Sequence, residues 1–221
     1  MKPEFFVFID ERYESASNHK RIIVSSVVIE EDNWNAHGSR VGCSHPYEHL
    51  CTLSELLGEV DAFGVVTYAD IKYLARRNHF SGDIGRVARD NTIWSTTVLS
   101  AIFAAMRHLE KISPSGIIDV YYDPQSLTKK HSLAFKKLIL QSPEIANAKM
   151  GSDFSIRNIS SISKAESPDS TNALQEGVVV AHHLCSNATQ IFSGKNMPRI
   201  FCENASNTVQ NHLTLCDALS R

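Results

Sequence analysis

The chain has 221 residues, of which 43% are hydrophobic, with a formal net charge of -2 and five cysteines. That length and apolar content support one good core, and the near-neutral balance excludes a protein that coats nucleic acid by bulk charge, leaving only focused contacts. No apolar run reaches membrane-spanning length, and Met1-Lys2-Pro3-Glu4 turns acidic too soon for a signal peptide, so a single soluble, cytoplasmic domain over residues 1–221 is expected. Cys43, Cys51, Cys185, Cys202 and Cys216 are odd in number and irregular in spacing, which suits reduced thiols better than a disulfide framework.

The first element is an apolar run, Phe5 to Ile9, closed by Asp10 and Glu11. Strand alternation puts Phe6, Phe8 and Asp10 on one face and Val7, Ile9 and Glu11 on the other. An acid at the carboxyl end of a buried strand is costly unless it is paired, hydrogen-bonded or bound to a metal, which makes Asp10 a candidate for chemistry. After a polar stretch, residues 21–29 are rich in β-branched side chains and read as a second strand, antiparallel to the first across a long hairpin loop. Residues 33–46 are polar and irregular, 47–58 form a short amphipathic helix, and 60–68 a third strand with Asp70-Ile71-Lys72 beyond it.

Residues 85–111 carry Val87, Ile93, Trp94, Val98, Ile102, Met106 and Leu109 at helical spacing, which predicts a long buried helix stopped by Ser113-Pro114-Ser115-Gly116. Residues 117–122 form a strand ending on Asp123-Pro124, a second acid delivered at a carboxyl end. A helix over 129–141, a strand over 154–163 and a helix over 170–187 follow. Residues 198–221 form a C-terminal extension that packs on the core or against a second copy of the chain in a homo-oligomer.

Three leading strands followed by helix, strand, helix, strand, helix predict an α/β (α+β) fold, a mixed five-stranded sheet with flanking helices. That order is the one used by ribonuclease-H-like proteins. Within it stand Ile9-Asp10-Glu11 before a hairpin, Asp70-Ile71-Lys72 in the place of an acid-x-Lys motif, Asp123 after a strand, and the helix Leu174-Gln175-Glu176-Gly177-Val178-Val179-Val180-Ala181, preceded by Ser160, Ser161, Ser163 and Ser167. In this order they resemble the domain-of-unknown-function 3800 family, which is ribonuclease-H-like. The family helix usually reads Leu-Gln-x-Ala-Asp, and aligning Leu174 and Gln175 puts Val178 where the aspartate stands. Glu176 is the nearest carboxylate, but two residues along a helix turn its side chain away by about 200°.

The resemblance implies a metal-dependent phosphodiesterase or nuclease acting on nucleic acid. Asp10, Asp123 and Asp70 would be the catalytic acids and ligands of magnesium or manganese, with Glu11 and Glu176 as further carboxylates. Lys72 would offset charge on a phosphate. Val178 makes the expected activity weak, and the alternative is a catalytically silent ribonuclease-H-like module for binding or assembly. Asp10 and Asp123 also have a plain structural role as strand-end and turn residues, Asp123-Pro124 being a good turn signal. A second cluster, Cys43, His45, His49 and Cys51, matches no familiar zinc knuckle, and Pro46 sits where a helix would start, so zinc is not expected there. His182 and His183 diverge as helical neighbours and are expected to be interior, hydrogen-bonded histidines.

Overall fold

Period-two alternation sorts the apolar residues of the strands into two layers, one on each side of a five-stranded sheet. The computed structural model describes residues 1–16, 19–42, 57–58, 60–70, 86–123, 129–162 and 173–192. Its strands are β1 (Glu4–Ala16), β2 (His19–Glu30), β3 (Phe63–Asp70), β4 (Ser115–Tyr122) and β5 (Asp153–Ser161). They lie in the order β3-β2-β1-β4-β5. β2 is antiparallel to β1 and β3, whereas β1, β4 and β5 run parallel. With the helices α1 (Glu31–Gly42), α2 (Arg86–Leu109), α3 (Lys129–Met150) and α4 (Ala173–Phe192), this is the α/β fold expected, a mixed five-stranded sheet with flanking helices. No helix among the described residues is long and apolar enough to cross a membrane.

Val7 and Ile9 of β1 pack with Trp94, Val98, Ile102, Met106 and Leu109 of α2 and with Phe135 and Ile139 of α3. Phe6 and Phe8 point to the other side, against Trp34 of α1 and Val178, Ala181, Leu184 and Cys185 of α4. A glycine makes the second packing possible: a Cβ on Gly177 would overlap the ring of Phe8, so only a residue without one lets α4 lie this close to β1. Further along, the Ser25 hydroxyl donates to the Ala181 carbonyl at 2.6 Å, and the Cys185 thiol lies 3.4 Å from the Ile23 carbonyl, so α4 runs across β1 and onto β2.

Several boundaries differ from expectation for identifiable reasons. β1 continues past its apolar run to Ala16 because Asp10 to Ala16 pair residue by residue with Ser25 to His19, and this ladder needs no further hydrophobic signal. The polar stretch from residue 33 lies inside α1, whose first turn carries Glu31 and Asp32, acids that favour a helix N-terminus. Trp34 is its one large buried apolar side chain among those described. α3 runs through Pro143 to Met150 instead of ending near residue 141. The helix read over 47–56, the Cys43, His45, His49, Cys51 cluster, Lys72 and the extension over 198–221 lie outside the described residues.

The pairing of β4 with β5 shifts between Ile118↔Ile156 and Asp119↔Asn158, leaving Arg157 as an extra residue. A bulge re-aims the side chain it inserts, and here the guanidinium meets Asp119 at 2.7 Å, Glu4 at 2.6 Å and Glu31 at 3.3 Å. Its hydrogen bonds to Asp119 and Glu4 hold Arg157 well above the usual guanidinium range. Glu4 and Glu31 are themselves hydrogen-bonded; Glu31 is pushed up by burial and by that bond, while Glu4 is pulled down by Glu31 and Arg157.

Replacing Gly177 by alanine tests the close approach of α4. The substitution improves intrinsic helix propensity by about 1 kcal/mol, yet the forced displacement of Phe8 carries an overpacking cost of about 1–3 kcal/mol. A lower urea midpoint for Gly177→Ala is the expected outcome, whereas a raised midpoint would show that the helix and Phe8 are not pressed together.

Candidate functional site

The ladder between β1 and β4 ends at the row Ile9↔Tyr122. Asp10 is the next residue of β1, on the face of Phe8 by alternation, and Asp123 is the residue that follows β4. The rings of Phe8 and Tyr121 stack at 5.6 Å. Phe6 meets Tyr121 at 5.5 Å and Trp34 meets Phe8 at 4.8 Å, which completes an apolar floor. β1 runs on past this point while β4 stops. Crevices beyond the carboxyl ends of parallel strands are where such sheets bind ligands. Asp10 has 0% solvent exposure, and Asp123 is half-buried.

The carboxylate of Asp10 does not stand in hydrocarbon alone. Its Oδ2 lies 2.7 Å from Nδ1 of His182, whose side chain is 44% exposed. A neutral imidazole protonated on Nδ1 donates to Asp10, and a protonated one forms a charged pair with it; either supplies the hydrogen bond that a buried carboxylate requires. His182 is therefore hydrogen-bonded as expected, but it stands at the surface of the protein and not in its interior.

Val178, by contrast, is fully buried in the apolar layer with Phe8, Tyr121 and Cys185. The group that α4 offers to Asp10 comes one helical turn later, at His182. This was legible in outline, since positions 178 and 182 share a helix face, but only the register of α4 on β1 shows which of the two reaches the acid.

The remaining candidates separate. Glu11 is buried but lies on the opposite face of the sheet from Asp10, with Val7 and Ile9. Asp70 pairs with Arg21 on β3, four residues beyond Val66, which is level with Ser25 and so with Asp10. With two strand spacings between them, their backbones stand roughly 13 Å apart along the strands and about 10 Å across, too far to ligate one ion together. Glu176 is 8% exposed, and its Oε2 has no hydrogen-bond partner among the described residues. Helical arithmetic sets it on a stripe with Val180, His183 and Asn187, turned from the stripe of Gln175, Val178 and His182. Burial alone raises its pKa. Among the described residues no group of three or more histidine, cysteine, aspartate or glutamate side chains gathers for a metal ion.

Hard divalent ions such as magnesium take one or two protein carboxylates and complete an octahedron with water and substrate oxygens. Asp10 and Asp123, one residue beyond the last paired row of β1 and β4, are two carboxylates of the type such an ion takes. Two ions would need more carboxylates than these elements bring together.

No protein-family model matches the chain, and no curated protein matches it. Among solved structures it is similar to a chain of the PCNA:RNase HII complex from Archaeoglobus fulgidus, with a TM-score of 0.41 and 13% identity over 86% of this chain and 75% of that one.

Glu176 provides a test of site geometry through stability. An acid whose folded pKa is raised above its unfolded value binds more protons in the folded state, so stability falls as pH rises through that interval. Glu176→Gln removes the penalty of burying the charge. The variant should melt higher than the parent at neutral pH, and the difference should shrink below about pH 4. A variant less stable at neutral pH would show that the glutamate charge is compensated in the fold.

Proposed function

We propose that this chain is a ribonuclease-H-like phosphodiesterase that acts on nucleic acid and uses one magnesium or manganese ion held by Asp10 and Asp123. The observation that supports this reading is that the ladder of β1 with β4 ends at Ile9↔Tyr122, one residue before each of these acids, where β4 ends beside the continuing β1. The resemblance to the domain-of-unknown-function 3800 family supports it, because the same positions are the acidic ones there.

When bound, a divalent cation would supply an activated water and polarise a phosphoryl oxygen. The residues of the chain do the rest. The ladder between β1 and β4 holds side by side the strand residues that precede the two acids, and His182 holds the rotation of Asp10. The floor of Phe6, Phe8, Trp34 and Tyr121 keeps water from beneath the site, which strengthens electrostatic interactions above it. Lys72, following Asp70 in the chain, is assigned to phosphate charge by the resemblance. A net charge of -2 makes the contact with nucleic acid local to this end of the sheet.

A second reading, a silent ribonuclease-H-like binding or assembly module, is favoured by Val178, which fills the expected acid position with hydrocarbon. Calorimetric titration of manganese into the wild type, Asp10→Asn and Asp123→Asn separates the two, run beside cleavage assays on single- and double-stranded DNA and RNA. The phosphodiesterase reading expects one site in the wild type, at least about tenfold weaker in each variant, and cleavage that follows occupancy. Binding with no cleavage of any substrate favours the silent module. Equal affinity in all three proteins would remove Asp10 and Asp123 from the site.

A further inference from the structure

We infer that the outward face of α3 binds a second copy of this chain, the two helices running antiparallel about a two-fold axis at Gln141. The inference is independent of the phosphodiesterase reading. α3 packs with Val7 and Ile9, on the side of the sheet opposite the one that Asp10 shares with Phe8.

The large apolar side chains exposed among the described residues concentrate on this helix. Leu133, Leu138, Leu140 and Ile145 are all exposed, Leu133 at 59% and Ile145 at 53%. Exposed apolar surface gathered in this way marks an interaction site, whereas single exposed leucines carry no such meaning. At 100° per residue Leu133 and Leu140 form one edge of the face and Leu138 and Ile145 the other, about 140° round the helix, with Lys137, Gln141 and Glu144 exposed between them. Phe135, Ile139, Ser142 and Ala146 take the opposite side and are buried. The face is continuous across Pro143, because the Ile139 carbonyl that loses its helical donor there accepts from the Ser142 hydroxyl at 2.7 Å.

The charges on the face select the occupant and its direction. Lys137 and Glu144 stand about two helical turns apart, so a copy related by a two-fold axis can answer each with the other. In an antiparallel pair turned about Gln141, Lys137 falls within one residue of Glu144 in the second copy, Leu138 within one residue of Ile145, and Leu140 beside its own counterpart. A parallel pair would set Lys137 level with Lys137 and Glu144 level with Glu144, and such like-charge juxtaposition opposes association. From Leu133 to Ile145 the face is about 18 Å long, which suits the small interface of a weak pair, so association at micromolar concentration is expected.

The test is sedimentation velocity of the full chain from about 1 to about 200 μM, for the wild type, Ile145→Glu, Lys137→Glu and the exchange Lys137→Glu with Glu144→Lys. These side chains are exposed, so the substitutions leave the core intact, and circular dichroism checks that they do. The wild type should form a reversible dimer, and Ile145→Glu and Lys137→Glu should each weaken it at least about tenfold. The exchange should recover wild-type association, because opposite charges face each other again only if the two helices are antiparallel. Gln141→Cys should cross-link to its own counterpart under mild oxidation, and Lys111→Cys, off this helix, should not. A wild type that stays monomeric throughout would overturn the inference, and a melting point lowered by Ile145→Glu in that monomer would give the face to residues 198–221 of the same chain. A dimer indifferent to Ile145→Glu would overturn the assignment of this face. A dimer weakened by Lys137→Glu and not recovered by the exchange would overturn the antiparallel register.

Discussion

The face assignment of β1 is the constraint on which the rest of the structure depends. Once Phe6 and Phe8 are committed to the layer beneath α1 and α4, alternation leaves Asp10 no other direction, and a carboxylate is carried to a position with 0% exposure. Such a group is tolerated only with a partner, since burying an unpaired charge costs far more than one hydrogen bond returns. His182 is that partner, and its reach depends in turn on how closely α4 lies on the sheet. Gly177 over Phe8 and the Ser25 bond to Ala181 set the approach, so the pairing of one acid governs the packing of a whole helix.

The two ends of this face treat acids differently. At the amino end of β1, Glu4, Glu31 and Asp119 converge on Arg157, placed there by the bulge in β5. A guanidinium cannot be deprotonated in a protein and matches carboxylates with fixed, forked donors, so that end is a permanent clasp joining β1, α1, β4 and β5. At the other end Asp10 is hydrogen-bonded to the imidazole of His182, whose two ring nitrogens can exchange donor and acceptor roles. Acids neutralised by arginine hold elements together; an acid held by a histidine keeps a partner whose hydrogen bond can be rearranged. Charge count alone would rank the Arg157 cluster first, and the nature of the counter-group reverses that order.

Much of the fold was legible because it rests on strong periodicities. The five strands and the long helix α2 follow from apolar alternation and from the order of elements. What escaped depends on contacts rather than pattern. The outer half of β1 is held by the ladder to β2, where polar residues give no signal. α1 has few buried apolar side chains to mark a period, and α3 passes through a proline that reads as a stop. The site was half legible: residue types and strand ends nominate Asp10 and Asp123, but the distance of Asp70 from them follows from a sheet register that no motif encodes.

The α4 departure illustrates why a motif position and a spatial position need not coincide. By the resemblance Val178 stands where that family carries an aspartate, which makes an aspartate there look like a gain of a ligand. In the folded chain that side chain is enclosed by Phe8, Tyr121 and Cys185. An aspartate there would bring a second charge into an apolar layer already holding Asp10, and both burial and like charge would oppose ionisation. His182, four residues on, already meets Asp10 from a position open to solvent. A helix can thus pack one position into the apolar layer and, one turn on, present a polar group to the same strand. The interior gains hydrocarbon at Val178, and Asp10 gains its hydrogen bond from His182.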